Sequence, residues 1–362
     1  RRRRASPILR LPAFPLAAFP VQLWLDRIGL AARAVWFYAA KVVWPSGLSF
    51  VYPRWDLVGQ RGIGWSALGA LAVLASVLFV LRHNRDARAA ILGISCYVVA
   101  LTPVLGVFDI FYFRYSYVAD HFQYLASMGL VALGVATLCR LIRREEVRRL
   151  IAILLVALFI CFTWSGTRRF HNNESLWTTT LATNPNCWLA HNNLAAWLVA
   201  NGQESAAEPH FRDALRLAPH AHEIHLNLGV LAMNGGNLTA ALDHLRRAVE
   251  VVPKLWEPHQ IYALALAKAG RPAEAEEEYR TAIELSPREV RPHNGLAELY
   301  EQLGRLDSAR EQYRRSLQMD PWQPSAHYNL ANLLANTDAA AAERHYRACL
   351  QIRSEEHTSE LQ

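Results

Sequence analysis

The stretch YSYVADHFQYLASMG, residues 115–129, concentrates ionisable and aromatic side chains between two apolar segments. Asp120 and His121 are adjacent, and Arg114 lies just upstream. Ionisable groups close to a membrane are energetically costly and usually have a function there. The stretch is therefore a candidate for the rim of a substrate site. In the alternative interpretation, Asp120 and His121 only cap a helix that begins at Phe122.

Other patterns of chemically active residues exclude several classes of protein. The sequence has no nucleotide-cradling glycine loop, no HExxH and no GxSxG motif. Its five cysteines form no CxxC pair, so neither a zinc site nor a disulfide framework is indicated. The net charge of +7 comes mainly from scattered arginines without interleaved aromatic residues, which disfavours nucleic acid as a partner. The sequence identifies no cofactor and gives no sign of whether a divalent metal takes part.

Five histidines recur every 34 residues, at His191, His225, His259, His293 and His327. A ladder of zinc sites would need ring nitrogens about 2 Å from one shared ion. Successive repeat helices pack about 8–10 Å apart, so neighbouring histidines do not converge easily on one ion. We therefore predict that these histidines are partly buried packing residues and not metal ligands.

The elements that position these residues change in character near Arg168, where a mostly apolar half gives way to a polar, Ala-rich half. Several apolar segments are long enough to cross a bilayer core of about 30 Å. The predicted spans are 28–51, 62–81, 89–108, 122–139 and 150–167. The first is the weakest because Lys41 interrupts it and Pro45 would kink it.

Arginine clusters predict the orientation of the spans. The positive-inside rule places the loops RHNRDAR and RLIRREEVRR, and the arginine run at the start, on the cytoplasmic side. Strict alternation then places YPRWDLVGQRG and DIFYFRYSYVADH outside, together with everything after Thr167. We expect an integral membrane protein, in contact with membrane lipid, whose polar half lies on the non-cytoplasmic (periplasmic) side.

The polar half repeats every 34 residues. Prolines mark the period at Pro185, Pro219, Pro253, Pro287 and Pro321, and glycines mark a turn at Gly202, Gly236, Gly270 and Gly304. This is the pattern of tetratricopeptide repeats, helix–turn–helix units that bury their apolar faces by stacking. The predicted fold is all-α: a multispan transmembrane helical domain (1–167), then a tetratricopeptide-repeat superhelix. Residues 168–187 form a half-repeat linker helix and 188–352 about five repeats, the last without the turn glycine.

Asparagines mark a candidate peptide groove. They lie at one first-helix position of the repeats or one residue before it: Asn192, Asn193, Asn227, Asn294 and Asn329. Amides offer paired donors and acceptors suited to an extended peptide backbone. This predicts a protein or peptide partner, and the alternative is that these side chains are only solvated.

Both ends of the chain look unusual. It opens on RRRRASPILR without an initiator Met, which we interpret as a fragment of a longer protein. The last ten residues, 353–362, resemble the in-frame translation of a common sequencing adapter, and the alternative is a polar natural tail.

Three segments carry a resemblance to a known family: FYAAKVVWPSGLSFVYPRWD, DHFQYLASMGL and FHNNESLWTTTLATNPNCWLAHNNLA. Joined to membrane spans and outward-facing repeats, they resemble the transmembrane and tetratricopeptide-repeat O-mannosyltransferases, especially their bacterial relatives. The resemblance implies a glycosyltransferase fold that takes sugar from a polyprenyl phosphate. It also implies a catalytic acidic residue in a first outer loop, which we expect upstream of residue 1, so no catalytic residue can be named here.

The resemblance makes the two outer loops candidates for donor binding. A guanidinium binds phosphate by paired hydrogen bonds, which favours Arg54 and Arg114 as contacts of the donor phosphate or sugar. His121 would add a donor whose charge depends on pH, and Asp120 would orient it or bind a sugar hydroxyl. In the alternative interpretation, these arginines and the neighbouring aromatic residues only anchor the spans at the interface.

Two functions remain open from the sequence. The first is part of a membrane glycosyltransferase of the protein O-mannosyltransferase type, with the repeats holding the protein acceptor. The second is a membrane-anchored repeat scaffold for protein–protein interaction without catalysis. A plain anchor rarely needs five spans, which favours the first.

Overall fold

The computed structural model describes residues 21–45, 47–56, 60–105, 116–167 and 171–360. Every regular element in these ranges is a helix, as the sequence predicts. Contacts divide the chain into two units, one ending at Leu217 and the other beginning at Ala218. Each unit is described by itself.

The first unit begins with five long helices, α1 to α5. They are α1 (Val21–Val43), α2 (Arg61–Val80), α3 (Arg85–Leu101), α4 (Tyr124–Leu141) and α5 (Glu145–Thr167). Four segments in the described part of the chain are long and apolar enough to cross a membrane: Gly62–Val80, Arg85–Val104, Asp120–Leu141 and Glu145–Ser165. Large apolar side chains such as Phe79, Leu125 and Ile153 are exposed on them. An exposed apolar surface of this extent is typical of membrane association.

Helix α1 differs from the four membrane-length helices because much of its surface is buried. It covers part of the predicted first span and ends at Val43, two residues before Pro45. Leu30, Val35 and Tyr38 are nearly inaccessible. Tyr38 belongs to an apolar cluster with Tyr97 and Leu101 of α3 and Ala126 of α4. Helix α1 therefore forms the packed centre of the apolar half.

Small residues allow close helix contacts in this half. A Cβ on Gly64 would lie 3.0 Å from the Cα of Gly29, and one on Gly129 would lie 2.6 Å from the carbonyl oxygen of Gly93. Larger side chains would force these helices apart. Close approach at small residues is a common source of packing energy between helices in membranes.

The first unit continues into the repeats through α6 (Asn173–Thr183), α7 (Trp188–Ala200) and α8 (Glu204–Leu217). Asn172 and Ser175 close α6 with reciprocal side-chain to backbone hydrogen bonds, which satisfy amide groups that a helix start leaves free. Phe211 of α8 is buried, with Ala207 and Ala214 on the same face. These three side chains occupy the repeat positions that the sequence pattern assigns to close packing.

The second unit contains the remaining repeats. Its helices are α9 (His222–Asn234), α10 (Leu238–Val251), α11 (Trp256–Lys268), α12 (Pro272–Leu285), α13 (Val290–Gln302), α14 (Leu306–Met319), α15 (Pro324–Leu334) and α16 (Ala339–Glu360). Each is paired with its neighbour, and the buried knobs Leu245, Tyr279 and Tyr313 fill successive cores.

The turn between the two helices of a repeat depends on glycine in four repeats. Gly202, Gly236, Gly270 and Gly304 have φ between +72° and +77°, a region that a residue with a Cβ enters at a cost. The last repeat lacks this glycine. There the Asp338 carboxylate accepts a hydrogen bond from the backbone N–H of Ala341 and starts α16 without a positive φ. Helix α16 continues through the adapter-like residues to Glu360.

Candidate functional site

The two loops predicted to bind the donor meet at Tyr52 and Asp120. The Tyr52 hydroxyl donates a hydrogen bond of 2.8 Å to Asp120 Oδ1. Tyr52 is 7 % exposed, and the Lys41 ammonium lies 5.6 Å from the centroid of its ring. Asp120 opens a short 3-10 helix, Asp120–Gln123, that leads into α4. A cation, a phenol and a carboxylate thus converge beside the start of α4.

Arg54 makes a second link between the same loops. Its Nη2 donates a 2.8 Å hydrogen bond to the hydroxyl of Tyr117, and its guanidinium lies 4.9 Å from the centroid of that ring. Arg54 is exposed. A guanidinium held by one hydrogen bond keeps other N–H groups for an anion. The arrangement suits recognition of a phosphate at the surface of the loop.

The other two donor candidates are placed differently. His121 is exposed, and its ring packs edge-on against Phe122 at 4.5 Å between centroids. Neither Asp120 nor His121 caps the helix that follows, since the residue at the N-cap is Ala119 and no side chain bonds there. Arg114 lies outside the described residues. The structure therefore groups Asp120 with Tyr52, and Arg54 with Tyr117.

The loop that carries Arg54 is docked on the first repeat. Asn184 donates a hydrogen bond of 3.3 Å to the carbonyl of Val51, and Ser49 Oγ lies 3.0 Å from Thr183 Oγ1. Val51 is fully buried against Cys187 and Ala190 of α7. The residue that follows it is Tyr52. The contact with Asp120 is thus one residue away from the contact with the first repeat.

A cleft opens beside this loop, between α1 and α2. Its volume is about 590 Å³, and its lining is formed by Arg33, Trp36, Phe37, Trp55, Ile63, Ser66, Ala67 and Ala70. The Arg33 guanidinium lies over the Trp55 ring at 4.1 Å, and its Nη1 donates a 2.8 Å hydrogen bond to Gln60 Oε1. The Trp36 indole donates to the carbonyl of Ala67. The cleft combines one cation with aromatic walls.

The asparagines predicted to line a peptide groove have unequal exposure. Asn192 is 2 % exposed, and its amide lies 3.4 Å from Asn193 Oδ1. Asn193 and Asn227 are half-buried on α7 and α9. Asn294 donates to Gln323 Oε1 at 2.7 Å. The half-buried positions are therefore the ones that keep surface for a ligand.

Asn329 shows how the ladder of asparagines is interrupted. Its amide donates a 3.0 Å hydrogen bond to the hydroxyl of Tyr313, sixteen residues earlier. The equivalent pair one repeat earlier is Gly295 with Tyr279, and a Cβ on Gly295 would lie 2.5 Å from Tyr279 Cε1. The Tyr279 ring thus fills the space that a side chain at position 295 would take.

The periodic histidines form a column of polar contacts within each repeat. In four of them Nε2 lies 3.0–3.1 Å from the carbonyl of the proline six residues earlier: His191, His225, His259 and His327. In all five, Nδ1 faces a polar side chain of the second helix. The partners are His210, His244, Glu278, Gln312 and His345, at 2.6 to 3.2 Å.

These contacts determine which ring nitrogens carry protons. An Nε2–H that donates to a carbonyl leaves Nδ1 of a neutral ring as an acceptor. His210 and His244 then donate from Nδ1 to their partners. Glu278 can only accept when ionised, so His259 must carry protons on both nitrogens. No group of three or more metal-binding side chains occurs among the described residues.

The two kinds of pair shift histidine pKa values in opposite directions. Burial lowers the pKa of His210 and His244, and the facing histidine lowers it further. Burial also acts to lower the pKa of His259, but hydrogen bonds to Glu278 and to the Pro253 carbonyl outweigh it and the net pKa is raised. The histidine pairs therefore favour folding at neutral pH, and the His259–Glu278 pair favours it in mild acid.

We expect Glu278→Gln to destabilise the repeats in acid only. The raised pKa of His259 gives a contribution that is complete below its ordinary pKa of about 6.5 and is lost as pH rises through the raised value. The variant should lose about 1–2 kcal/mol of unfolding free energy at pH 5.5 and much less at pH 9, by urea unfolding in detergent. As a matched control, Gln312→Glu should give His293 the same acid-dependent stabilisation. An equal loss at both pH values for Glu278→Gln would contradict the assignment.

Sequence reasoning missed several of these residues. The second-helix column at 210, 244, 278 and 312 is polar throughout, and this signal was available from the 34-residue period. Tyr52 and Arg33 carried no such signal. Their roles depend on contacts with Asp120 and Trp55 that no spacing in the sequence encodes.

The fold and the geometry define the class of protein: a tetratricopeptide-repeat protein with membrane-length apolar helices. A family model described as tetratricopeptide repeat matches residues 197–254 and 263–324. Among curated proteins, the chain is similar to "Protein O-mannosyl-transferase TMTC1" of Homo sapiens, at 27 % identity over 221 residues. That alignment covers 58 % of this chain and 24 % of the human protein. The mouse protein of the same name is 28 % identical over 203 residues, covering 52 % of this chain and 21 % of that protein.

The chain is therefore a tetratricopeptide-repeat relative of the TMTC-type O-mannosyl-transferases. It spans less than a quarter of the length of these curated relatives. Among solved structures it is similar to Pseudomonas aeruginosa PilF, with a TM-score of 0.43 and 23 % identity, covering 45 % of this chain and 75 % of that one. It is also similar to YrrB, described as a repeat protein with an unusual peptide-binding site, with a TM-score of 0.38 and 18 % identity, covering 51 % and 97 %.

Proposed function

We propose that the chain is part of a membrane glycosyltransferase of the protein O-mannosyltransferase type. In this proposal the outer loops contact a polyprenyl-phosphate sugar donor, and the repeats hold the protein acceptor on the non-cytoplasmic side. The observation that carries it is the continuous packing from Asp120 through Tyr52 and Val51 to the first repeat. An enzyme that transfers sugar to a bound protein must hold the acceptor close to its donor loops.

The charges of the two loops support the donor part of the proposal. Arg54 and Lys41 lie on the side of the apolar half where Asp120 begins α4. A phosphate placed there would meet guanidinium and ammonium groups at a membrane surface, where such contacts are stronger than in bulk water. The Asp120 carboxylate, held by Tyr52, keeps one oxygen that can accept a hydrogen bond from a sugar hydroxyl.

One observation favours the alternative, a membrane-anchored scaffold for protein–protein interaction. Asp120 and Arg54 each contact a tyrosine of the protein itself. Residues that only hold two loops together would show the same contacts. In the scaffold, the loops matter for assembly of the first repeat, and no sugar is transferred.

Arg54→Ala separates these two functions. We expect it to reduce transfer from polyprenyl-phosphate mannose about tenfold or more in membranes of cells that produce the whole protein, because a charge-assisted hydrogen bond contributes about 1.5–3 kcal/mol. Arg54→Lys should retain part of the activity. Full activity in Arg54→Ala would refute this donor contact. Absence of transfer in the unsubstituted protein, with partner binding retained, would favour the scaffold.

Asn227→Ala tests the acceptor part. Loss of its amide should weaken binding of an extended acceptor peptide several-fold and leave donor retention unchanged, since Asn227 belongs to a repeat helix, α9. Asn234→Ala, at the exposed end of the same helix, is the matched control. Equal peptide affinities for the two variants would contradict a role for the asparagine column.

A further inference from the structure

The placement of α1 is the first step of the inference. Its contacts fall at one end of the apolar helices. Gly29 meets Gly64 near the start of α2, Trp36 bonds Ala67 in the same part of α2, and the Tyr38 hydroxyl accepts from Ala119, just before α4. Consecutive membrane spans alternate in direction, so the start of α2 and the start of α4 lie on the same side of the membrane.

The far end of α1 repeats this pattern. The Tyr97 hydroxyl, near the end of α3, donates to the carbonyl of Val35 at 2.6 Å. Trp44, just after α1, packs edge-on against Phe162, near the end of α5. Helix α1 therefore lies across one end of α2 to α5 and does not run along their length. With the orientation proposed from the arginine loops, this end is the outer membrane interface.

Arg33 is held in the cleft at this level without a carboxylate. Its described contacts are the Trp55 ring and the side-chain oxygen of Gln60. None of the described Asp or Glu side chains forms an ion pair with it. A guanidinium has five N–H donors, so the Gln60 bond leaves most of them for another acceptor. A cation at a membrane interface without an acidic partner is a functional-site candidate.

The walls of the cleft indicate the kind of ligand. Trp36 and Ile63 are 40 % and 48 % exposed at its edges, on the surface where α2 presents its apolar side chains. A cleft of about 590 Å³ is within the size range of small-ligand sites. A phosphate with an apolar chain fits it: the phosphate accepts from Arg33, and the chain lies along α2.

We propose that this cleft binds the phosphate of a polyprenyl phosphate, with Arg33 as its main contact. The choice of a polyprenyl lipid depends on the proposed function above, whereas the phosphate site depends on the cleft alone. The site is distinct from the Arg54 and Asp120 loops because it is formed by α1 and α2. Arg54 would then contact the sugar side of the same donor, and Arg33 its phosphate.

Equilibrium binding to the purified whole chain in neutral phosphatidylcholine nanodiscs tests this site. The probes are radiolabelled polyprenyl phosphate, polyprenol of the same chain length, phosphatidylglycerol and inorganic phosphate. We expect polyprenyl phosphate to bind at least about tenfold more tightly than polyprenol, and Arg33→Ala to remove that difference. Arg33→Lys should recover only part of it. Arg82, stacked on Phe79 at the other end of α2, is the matched control, and Arg82→Ala should bind normally.

Ala70→Leu fills the cleft without removing Arg33 and should weaken polyprenyl phosphate binding too, which guards against misfolding of the arginine variant. Equal affinities for polyprenyl phosphate and polyprenol, or unchanged binding in Arg33→Ala, would overturn the site. Equally tight phosphatidylglycerol binding would overturn its selectivity for a polyprenyl lipid, and competition by inorganic phosphate alone would assign a free-phosphate site. Binding that persists without any sugar transfer would retain the site and refute the transferase proposal.

Discussion

Val51→Asp is expected to release the first repeat from the membrane-adjacent loop. Val51 is fully buried against Cys187 and Ala190, with Trp177 packed beside them. A carboxylate in this position would have no cation and no room for water. Burying it without a partner would cost about 3–5 kcal/mol, which exceeds what the Ser49 and Asn184 hydrogen bonds contribute together.

Hydrogen exchange of the whole chain in detergent checks this expectation. Amides of α6 and of the first turn of α7 should exchange faster by at least about tenfold, while α13 and α14 should not change. Val251→Asp supplies the same substitution at a position that is 41 % exposed, and it should leave α6 unaffected. Unchanged protection of α6 in Val51→Asp would show that the loop and the repeat are not energetically linked.

Gly229→Ala is the second large effect and should destabilise the second unit. A Cβ at this position would lie 2.5 Å from Leu245 Cγ, an atom too close to the backbone to move without a change of rotamer. Overpacking of this kind costs about 1–3 kcal/mol, and the gain in helix propensity over glycine recovers about 1 kcal/mol at most. The net change should be a loss of unfolding free energy.

Equivalent repeats provide the compensating change. At the positions of Gly229 and Leu245, other repeats carry alanine with an aromatic knob, as in Ala263 with Tyr279, and both of these are buried. Leu245→Phe should therefore recover stability in the Gly229→Ala background and not in the wild-type chain. A double-mutant cycle by urea unfolding measures this coupling. Additive effects of the two substitutions would refute the packing explanation.

The repeats could be predicted from sequence because their determinants are local and periodic. Glycines such as Gly236 lie at turns with positive φ, and knobs such as Tyr313 are buried where a 34-residue period places them. The all-helical class follows from the same periodicity. The role of each histidine was only half visible, because the period marks a packing position but not the partner on the second helix, as His259 and Glu278 show.

The arrangement of the apolar half was less predictable. Hydropathy marks length and polarity, and it cannot separate a helix that crosses the membrane from one that packs across the ends of its neighbours. Helix α1 is the example, since its burial depends on Tyr38, Tyr97 and the glycine contact at Gly29. The donor candidates Arg54 and Asp120 were named from their loops, but their tyrosine partners emerge only when residues 63 to 68 positions apart are brought together.

The adjacency of Val51 and Tyr52 has a mechanical consequence. Val51 is fixed to α7 and Tyr52 to Asp120, with a single planar peptide unit between them. A polypeptide that pulls on the first repeat therefore loads the Tyr52–Asp120 hydrogen bond directly, with no slack segment to absorb the extension. The weakest element in this path is one hydrogen bond beside the start of α4. Tension on a bound chain would thus act first on the carboxylate of Asp120.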